Sequence, residues 1–418
     1  MEKTTDQKGL KVLLWSLCLL FSLVLFPRNL KIVPIGFLAI VTLVLWFKNN
    51  RIFYNRFFLI NSFFYGCIAI TFLYSDNTAY GLRKLTGLLT FLIFPLIFAM
   101  IPQQYIQGIY QKRHRLYWVF LISVFVFNVG AFLGFMTSLS YSWDQMMQHF
   151  PTLLTKDLGK WNIHPIYMSM YIGVSILFSL YLVRSKLSGL KIVSLVVMNI
   201  TLLLFLLLYA KKGPLVALVI VFSLFIFFQK NRKLVKPYIL GLVLLIAATI
   251  FIPRTRDRFM ELIKIENVED SEVTSTNIRY SIYQASVDAA LQSPLIGFGI
   301  GDYNDILQAQ YAKEGNTILV AGDYNAHNQY VSLWLIGGIL LVLLFIIVLA
   351  IHLIFAIRFD NQILILLLIF YAIAMLSENL LEREHGVILF SFFLAFFGLF
   401  SSDKIVVETP KIKEADTF

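Results

Sequence analysis

A histidine followed by an asparagine opens one of the longest apolar segments of the chain, within Asn325-Ala326-His327-Asn328-Gln329-Tyr330. Asp323 or Asn325 can cap a helix that begins here, which predicts that His327 lies in its first turn. The positive end of a helix dipole favours a neutral imidazole, and a neutral imidazole can take a proton from a hydroxyl group. His327 is therefore a candidate general base, with Asn328 as a candidate supporting residue. The simpler interpretation is a pair of interfacial polar residues.

Basic residues near the same membrane face form a candidate anion site. Lys211 and Lys212 interrupt an apolar stretch, and charges at a membrane edge are either functional or reach the interface by snorkelling. Arg279 lies in the first turn of a predicted helix, where its planar guanidinium and the free N–H groups could bind one phosphate. The pair Arg83-Lys84 is a weaker candidate, of which we choose Arg83. The simpler interpretation of each is a solvated surface charge.

Two further polar residues lie where apolar segments meet this face. His164 precedes Pro165 at the start of one segment, and Glu378 lies just inside the end of another. A carboxylate at that depth needs a partner, because an isolated charge in lipid is costly. Both are candidate supporting residues, although most of the polar cluster that follows Glu378 fits an ordinary solvated turn.

Composition excludes a soluble domain and gives no sign of a cofactor. Of 418 residues, 59% are hydrophobic and 14% are charged, whereas soluble domains are nearer half apolar and a quarter charged. The net charge of +11 does not indicate nucleic-acid binding, because the basic residues lie in scattered loops. No zinc-ligand spacing, phosphate loop or nucleophilic serine motif occurs, so we expect no metal and no cofactor.

Membrane helices must position these candidates. A segment needs about 20 apolar residues to cross a bilayer, and inside lipid its backbone must satisfy its own hydrogen bonds. We predict an all-α, polytopic integral membrane protein with about twelve transmembrane helices. The predicted segments are 11–26, 32–47, 56–74, 85–101, 116–137, 164–183, 191–210, 214–229, 237–252, 326–356, 362–379 and 386–402.

The distribution of Lys and Arg predicts the orientation. They are commoner in one alternating set of short loops than in the other, so both termini are expected in the cytoplasm. Residues 1–402 then form a single transmembrane domain that includes a large periplasmic loop, 253–325, carrying short helices. Residues 403–418 form a short cytoplasmic tail. The candidate base and cations all fall on the external side.

Three segments resemble, in their order and spacing, those of O-antigen ligases and O-antigen polymerases, a superfamily of bacterial envelope glycosyltransferases. The hydropathy plan resembles that superfamily as well. The segments are Ala210-Lys211-Lys212-Gly213-Pro214-Leu215-Val216-Ala217-Leu218, then Asn277-Ile278-Arg279-Tyr280 followed by Ser293-Pro294-Leu295-Ile296-Gly297-Phe298-Gly299, and finally Ala326-His327-Asn328-Gln329-Tyr330.

The resemblance implies a donor glycan on undecaprenyl diphosphate. A ligase transfers it to lipid A–core, and a polymerase extends the glycan. Arg279 and Lys212 would hold the diphosphate, with Lys211 and Arg83 as further candidates, and His327 would activate the acceptor hydroxyl. The superfamily usually has Arg at the position matched by Lys212, and Lys lacks the bidentate fork of Arg.

We therefore predict an O-antigen ligase-like glycosyltransferase in the bacterial inner membrane, surrounded by membrane lipids, with its active site facing the periplasm. Because diphosphate is a good leaving group, the reaction needs no metal, and direct displacement would invert the anomeric carbon. The alternatives within the superfamily are a surface polysaccharide polymerase and a protein O-oligosaccharyltransferase. Outside the superfamily, a transporter or flippase is disfavoured because charges are scarce within the predicted spans and no repeat is visible. A structural subunit is disfavoured because of the external His, Arg and Lys.

Overall fold

The computed structural model describes residues 6–49, 56–185, 187–229, 232–263, 265 and 273–401. Within these ranges the regular structure is helical and no strand occurs, which confirms the predicted all-α fold class. The predicted tail, 403–418, lies outside the described residues, as does part of the predicted loop 253–325.

The helices follow one another in short connections, and the loop 253–325 contributes helices of its own. In chain order the α-helices are α1 Gln7–Phe21, α2 Ile32–Asn49, α3 Arg56–Thr71, α4 Thr78–Leu88, α5 Thr90–Ala99, α6 Gln103–Leu139, α7 Trp143–Lys156, α8 Pro165–Leu182, α9 Gly189–Tyr209, α10 Lys212–Phe227, α11 Arg232–Phe251, α12 Pro253–Met260, α13 Ser275–Ala290, α14 Tyr303–Lys313, α15 Thr317–Gly322, α16 Gln329–Arg358, α17 Gln362–Ala374 and α18 Glu384–Gly398.

The length and apolarity of these helices establish a multi-pass membrane protein. Seven helical segments of the described chain are long and apolar enough to cross a membrane, or eight if the pair bent by 78° at α11 and α12 counts as one span. Helices α10, α17 and α18 are apolar but shorter. The predicted count of twelve spans and the periplasmic position of the loop remain predictions.

Aromatic packing around α8 and α18 forms the centre of the bundle. In α8, 94% of the residues are buried, and its Phe178 contacts aromatic rings of both α6 and α18. The centroids of Tyr117 and Phe178 lie 4.6 Å apart in a stacked pair, and those of Phe178 and Phe393 lie 5.5 Å apart in an edge-to-face pair. Aromatic pairs at such distances add to the stability that burial alone provides. This rigid centre holds the start of α8 and the turn before α18, where the candidate residues lie.

Helix α16 is broken near one end, rather than being the single long span predicted for 326–356. Gly337 and Gly338 have non-helical backbone angles, and the turn that follows α13 occupies the break. The N–H of Phe298 donates to the Leu335 carbonyl at 2.8 Å, and the N–H of Ile339 donates to the Pro294 carbonyl at 2.9 Å. Backbone groups released by the break are thus satisfied within the protein, as a membrane environment requires.

A second backbone connection fixes the turn between α17 and α18 against the start of α16. The N–H of Gln329 donates to the Met375 carbonyl at 2.9 Å, and the side-chain oxygen of Gln329 accepts from the N–H of Leu381 at 2.7 Å. Helix α17 ends at Ala374, before the predicted end at 379. Glu378 therefore lies in this turn, outside the helix, and faces the residues that precede α16.

We expect Gly338→Ala to destabilise the protein. Gly338 has φ +67°, and a Cβ there would overlap the Leu295 carbonyl, so the strain should be about 1–3 kcal/mol or more. Thermal unfolding in detergent should show a clearly lower midpoint. The control Gly134→Ala lies in α6 with open space around it and should unfold at or above the wild-type temperature. Equal midpoints for both variants would contradict a tight junction at Gly338.

Candidate active site

His327 lies just before α16 and not in its first turn, so that prediction is wrong. Helix α16 begins at Gln329 because Asn328 caps it, its side chain accepting from the N–H groups of Tyr330 at 3.0 Å and Val331 at 3.2 Å. His327 has φ +45°, and its own N–H donates to the side chain of Asn325 at 3.3 Å. Asn328 thus shapes the chain here as a cap, and His327 is presented by a strained turn.

The imidazole of His327 faces a buried carboxylate. Its Nδ1 lies 3.5 Å from Oε2 of Glu378, and both of these buried atoms lack a hydrogen bond to any other group of the described chain. Glu378 is 5% exposed, and its second oxygen accepts from the Tyr167 hydroxyl at 3.1 Å. The carboxylate is therefore anchored on one side and directed at the imidazole on the other.

Glu378 stays ionised despite its burial. Burial by itself raises the pKa of this carboxyl, but the adjoining His327 and the positive charge of Arg279 outweigh it and lower the pKa to about 2. Desolvation and neighbouring positive charge are the two competing influences expected for a buried acid. The site consequently has one permanent negative charge at its centre.

Arg279 faces the same carboxylate from the loop. Helix α13 begins at Ser275, capped by Thr274, whose hydroxyl accepts from the N–H of Asn277 at 3.1 Å. Arg279 therefore lies one turn inside α13 and not in its first turn, contrary to the prediction, and it does not share an anion site with the N-terminal N–H groups. Its Nη2 lies 3.9 Å from Oε2 of Glu378, and its side chain is 31% exposed. The guanidinium keeps donors available for a ligand.

The two adjacent lysines differ in their surroundings. Lys212 starts α10, and its Nζ lies 2.8 Å from Oε2 of Glu261 and donates also to the Thr276 hydroxyl. Lys211, the preceding residue, makes no ion pair with a carboxylate of the described chain. Burial, and then the positive charge of Arg279, lower the pKa of Lys211 to about 8. Of the two lysines, Lys211 is therefore the one whose charge is not paired with a carboxylate of the described chain.

His164 lies beside these groups as the N-cap of α8. Its Nδ1 accepts from the N–H of Ile166 at 3.3 Å. Burial, and then the positive charge of Lys211, lower the pKa of His164 to about 4. His164 is therefore neutral at physiological pH, where it caps α8 and adds no charge to the site.

Arg83 lies in a separate part of the same face. It belongs to α4, where its guanidinium lies 5.0 Å from the ring centre of Tyr80 and pairs with no carboxylate of the described chain. Arg83 and Arg383 line a cavity of about 650 Å³, which Asn325 also borders. The structure therefore does not place Arg83 with Lys211 and Arg279, where the sequence analysis had put it.

A polar network centred on Glu382 lines the cavity that contains Arg83. Lys84 donates to Oε2 of Glu382 at 3.0 Å, and Ser332 and Asn379 donate to Oε1 at 2.8 Å each. Sequence analysis assigned Glu382 to a solvated turn and gave no role to Glu261. Their partners are far away in the chain, so local spacing gives no signal for either. Among the described residues, no group of three His, Cys, Asp or Glu is placed to hold a metal ion.

This is a helical membrane protein with a buried carboxylate joining an imidazole to a guanidinium at one face of the bundle. A family model described as O-antigen ligase matches residues 197–346, a range that contains Lys211, Arg279 and His327. The match supports membership of the O-antigen ligase superfamily and confirms the resemblance found in the sequence. The matched range does not include Glu378 or Arg83. No curated protein matches the chain.

We expect inorganic diphosphate binding to report the charge of Lys211. Because the pKa of Lys211 is lowered to about 8, the wild type should lose affinity as pH rises through about 8. Lys211→Arg keeps its charge, so Kd measured by calorimetry should lose this dependence. Lys212→Arg, the matched control beside Glu261, should keep the wild-type profile. A Lys211→Arg variant that follows the wild-type profile would show that another group titrates.

Proposed function

We propose that this protein transfers a glycan from undecaprenyl diphosphate to an acceptor hydroxyl, in the manner of an O-antigen ligase, at the periplasmic face of the inner membrane. The observation that carries the proposal is the position of Glu378, 3.5 Å from His327 and 3.9 Å from Arg279. One carboxylate thereby brings a proton acceptor and a phosphate-binding cation together. The family match supports the same class of reaction.

The donor diphosphate is bound in this proposal by Arg279 and Lys211. The guanidinium can donate two parallel hydrogen bonds to phosphate oxygens, and Lys211 adds a second positive charge from a partly dehydrated position. Negative charge develops on the diphosphate as the anomeric C–O bond breaks. Cations already in place stabilise that charge without having to move during the reaction. Lys212 forms an ion pair with Glu261. In this proposal it helps to position the neighbouring cations and is not the main ligand of the diphosphate.

The acceptor is activated by His327. Its Nδ1 faces the ionised Glu378, which favours the tautomer with the proton on Nδ1 and leaves Nε2 free to accept. The acceptor oxygen forms a bond to the anomeric carbon while its proton passes to Nε2. The bond between that carbon and the diphosphate oxygen breaks, and undecaprenyl diphosphate leaves. A single displacement of this kind inverts the anomeric configuration.

Glu378 acts as a positioning residue in this scheme. After proton transfer the imidazole becomes a cation, and the adjacent carboxylate stabilises it. The separation of 3.5 Å exceeds that of a hydrogen bond, and such contacts in an empty site commonly tighten when substrate binds. Tyr167 limits the movement of the carboxylate by its hydrogen bond of 3.1 Å.

The acceptor glycan approaches, in our proposal, through the cavity of about 650 Å³ lined by Arg83 and Arg383, here called the second cavity. Asn325 borders this cavity, and its side-chain oxygen accepts from the N–H of His327 at 3.3 Å, so the cavity borders a residue that contacts the proposed base. Its polar lining and the ring of Tyr80 suit a sugar chain. Arg83 and Arg383 are available to bind phosphate or carboxylate groups on that chain.

The surface glycan of a deletion strain tests the choice of acceptor. Loss of the polysaccharide from lipid A–core, with long chains accumulating on the lipid carrier, is the expected result for a ligase. A single repeat unit attached to core would instead indicate a polymerase. Intact lipopolysaccharide with loss of protein glycans would indicate a protein O-oligosaccharyltransferase.

We expect His327→Ala to lower transfer by about a hundredfold to ten-thousandfold, the usual contribution of a general base. Diphosphate binding should change little, because the cations remain. Transfer is measured with purified protein and lipid-linked donor in detergent. His149→Ala is the matched control, since His149 is exposed on α7 and should retain wild-type activity. Undiminished transfer by His327→Ala would falsify the assignment of the base.

We expect the double change Arg83→Gln with Arg383→Gln to raise KM for a phosphorylated acceptor severalfold while leaving kcat and donor KM close to wild type. Both arginines line the second cavity and lie outside the donor cations. Kinetics with the same acceptor after phosphatase treatment provide the control, because the two proteins should then differ little. A rise confined to donor KM would instead assign these arginines to the diphosphate.

A further inference from the structure

A separate concave surface lies at the opposite end of the bundle from the candidate site. It is a groove of about 1040 Å³ between α1 and α6. Helix α6 runs from Gln103 to Leu139, and the groove lies along its first half. The other end of α6 leads through α7 to His164, so the length of α6 separates the groove from the candidate active site. No role in glycan transfer accounts for this groove.

The groove carries a cluster of positive charge. Lys11 on α1 and Lys112 and Arg115 on α6 line it, and no acidic residue does. Lys112 and Arg115 are three residues apart and so lie on one face of the helix. None of the three makes an ion pair with a carboxylate of the described chain. Like charges held together without counter-charges favour binding of an anion.

Apolar side chains line the groove beside these cations. Leu14 on α1 lies about one helical turn beyond Lys11, and Val119 on α6 lies about one turn beyond Arg115. Trp15, at the edge of the groove, is 62% exposed. Tryptophan is typical of the boundary between lipid headgroups and acyl chains. The groove therefore combines a site for an anionic group with a surface for a hydrocarbon chain, the two parts of a phospholipid.

We propose that the groove between α1 and α6 binds an acidic phospholipid. Its phosphate lies among Lys11, Lys112 and Arg115, and one acyl chain lies along Leu14 and Val119. Basic sites between transmembrane helices on the cytoplasmic side bind such headgroups, and the predicted orientation puts this groove on that side. The apolar wall distinguishes a lipid from free phosphate, which would use the cations alone. The proposal does not depend on the function of the opposite face.

The test uses the full chain in detergent and phosphatidylglycerol with brominated acyl chains, which quench a neighbouring tryptophan. The other five tryptophans contribute background quenching. We expect a saturable component that is lost in Trp15→Phe, with an affinity at least tenfold above that for brominated phosphatidylcholine. Lys112→Gln with Arg115→Gln should reduce the affinity for phosphatidylglycerol about tenfold, since each basic residue contributes to binding of anionic lipid. The affinity for phosphatidylcholine should stay unchanged.

A matched double variant controls for net charge. Lys48→Gln with Lys191→Gln removes two exposed cations from α2 and α9, outside the groove, and should bind phosphatidylglycerol like the wild type. Equal loss in both double variants would overturn the proposal in favour of a general surface effect. Complete displacement of the lipid by millimolar inorganic phosphate would also overturn it, because the acyl wall would then contribute nothing. Unchanged melting temperatures without lipid confirm that the variants are folded.

Discussion

The candidate site depends on a single buried charge, the carboxylate of Glu378. An ionised group taken out of water is costly unless its partners compensate it, and removing one partner leaves the cost uncompensated. His327, Arg279 and Tyr167 surround this carboxylate from three separate parts of the chain. The attraction between them therefore holds the loop, α8 and the start of α16 in one arrangement. The same charge lies against the imidazole of His327.

The framework around this charge is built from backbone contacts rather than from side chains alone. Gln329 holds the turn that contains Glu378, and the break in α16 at Gly337 and Gly338 receives the turn that follows α13. Arg279 and His327 thus lie on two segments joined at the same broken helix. Displacing either segment would therefore move Arg279 away from His327.

Much of the architecture follows from the sequence because membrane helices are specified locally. A run of apolar residues long enough to cross lipid must be helical, so each predicted segment coincides largely with a helix. The polar residues that interrupt those runs could be recognised individually, and His327, Arg279 and Lys211 do lie on one face. Chain spacing was informative there because each of them borders an apolar helix or follows a recognisable cap.

What the sequence could not show is how these groups pair. Lys212 is neutralised by Glu261, 49 residues away, and no periodicity connects them. The position of His327 outside α16 depends on Asn328, which competes successfully with the two earlier cap candidates. Arg83, the weaker candidate, shared its charge and predicted side with the other cations, yet the structure places it at a different cavity. Which charged side chains pair across the bundle depends on the three-dimensional fold, and the positions of charges along the chain do not reveal it.

The contacts among Lys212, Glu261 and Thr276 connect two residues that lie on either side of the stretch from 262 to 275. Thr276 donates to the same carboxylate oxygen that Lys212 approaches, so both edges of the stretch from 262 to 275 are pinned at one point. Insertions or deletions within that stretch leave the pinned ends, and Arg279 one turn beyond, where they are. The number of residues between these two ends can therefore change without moving Arg279.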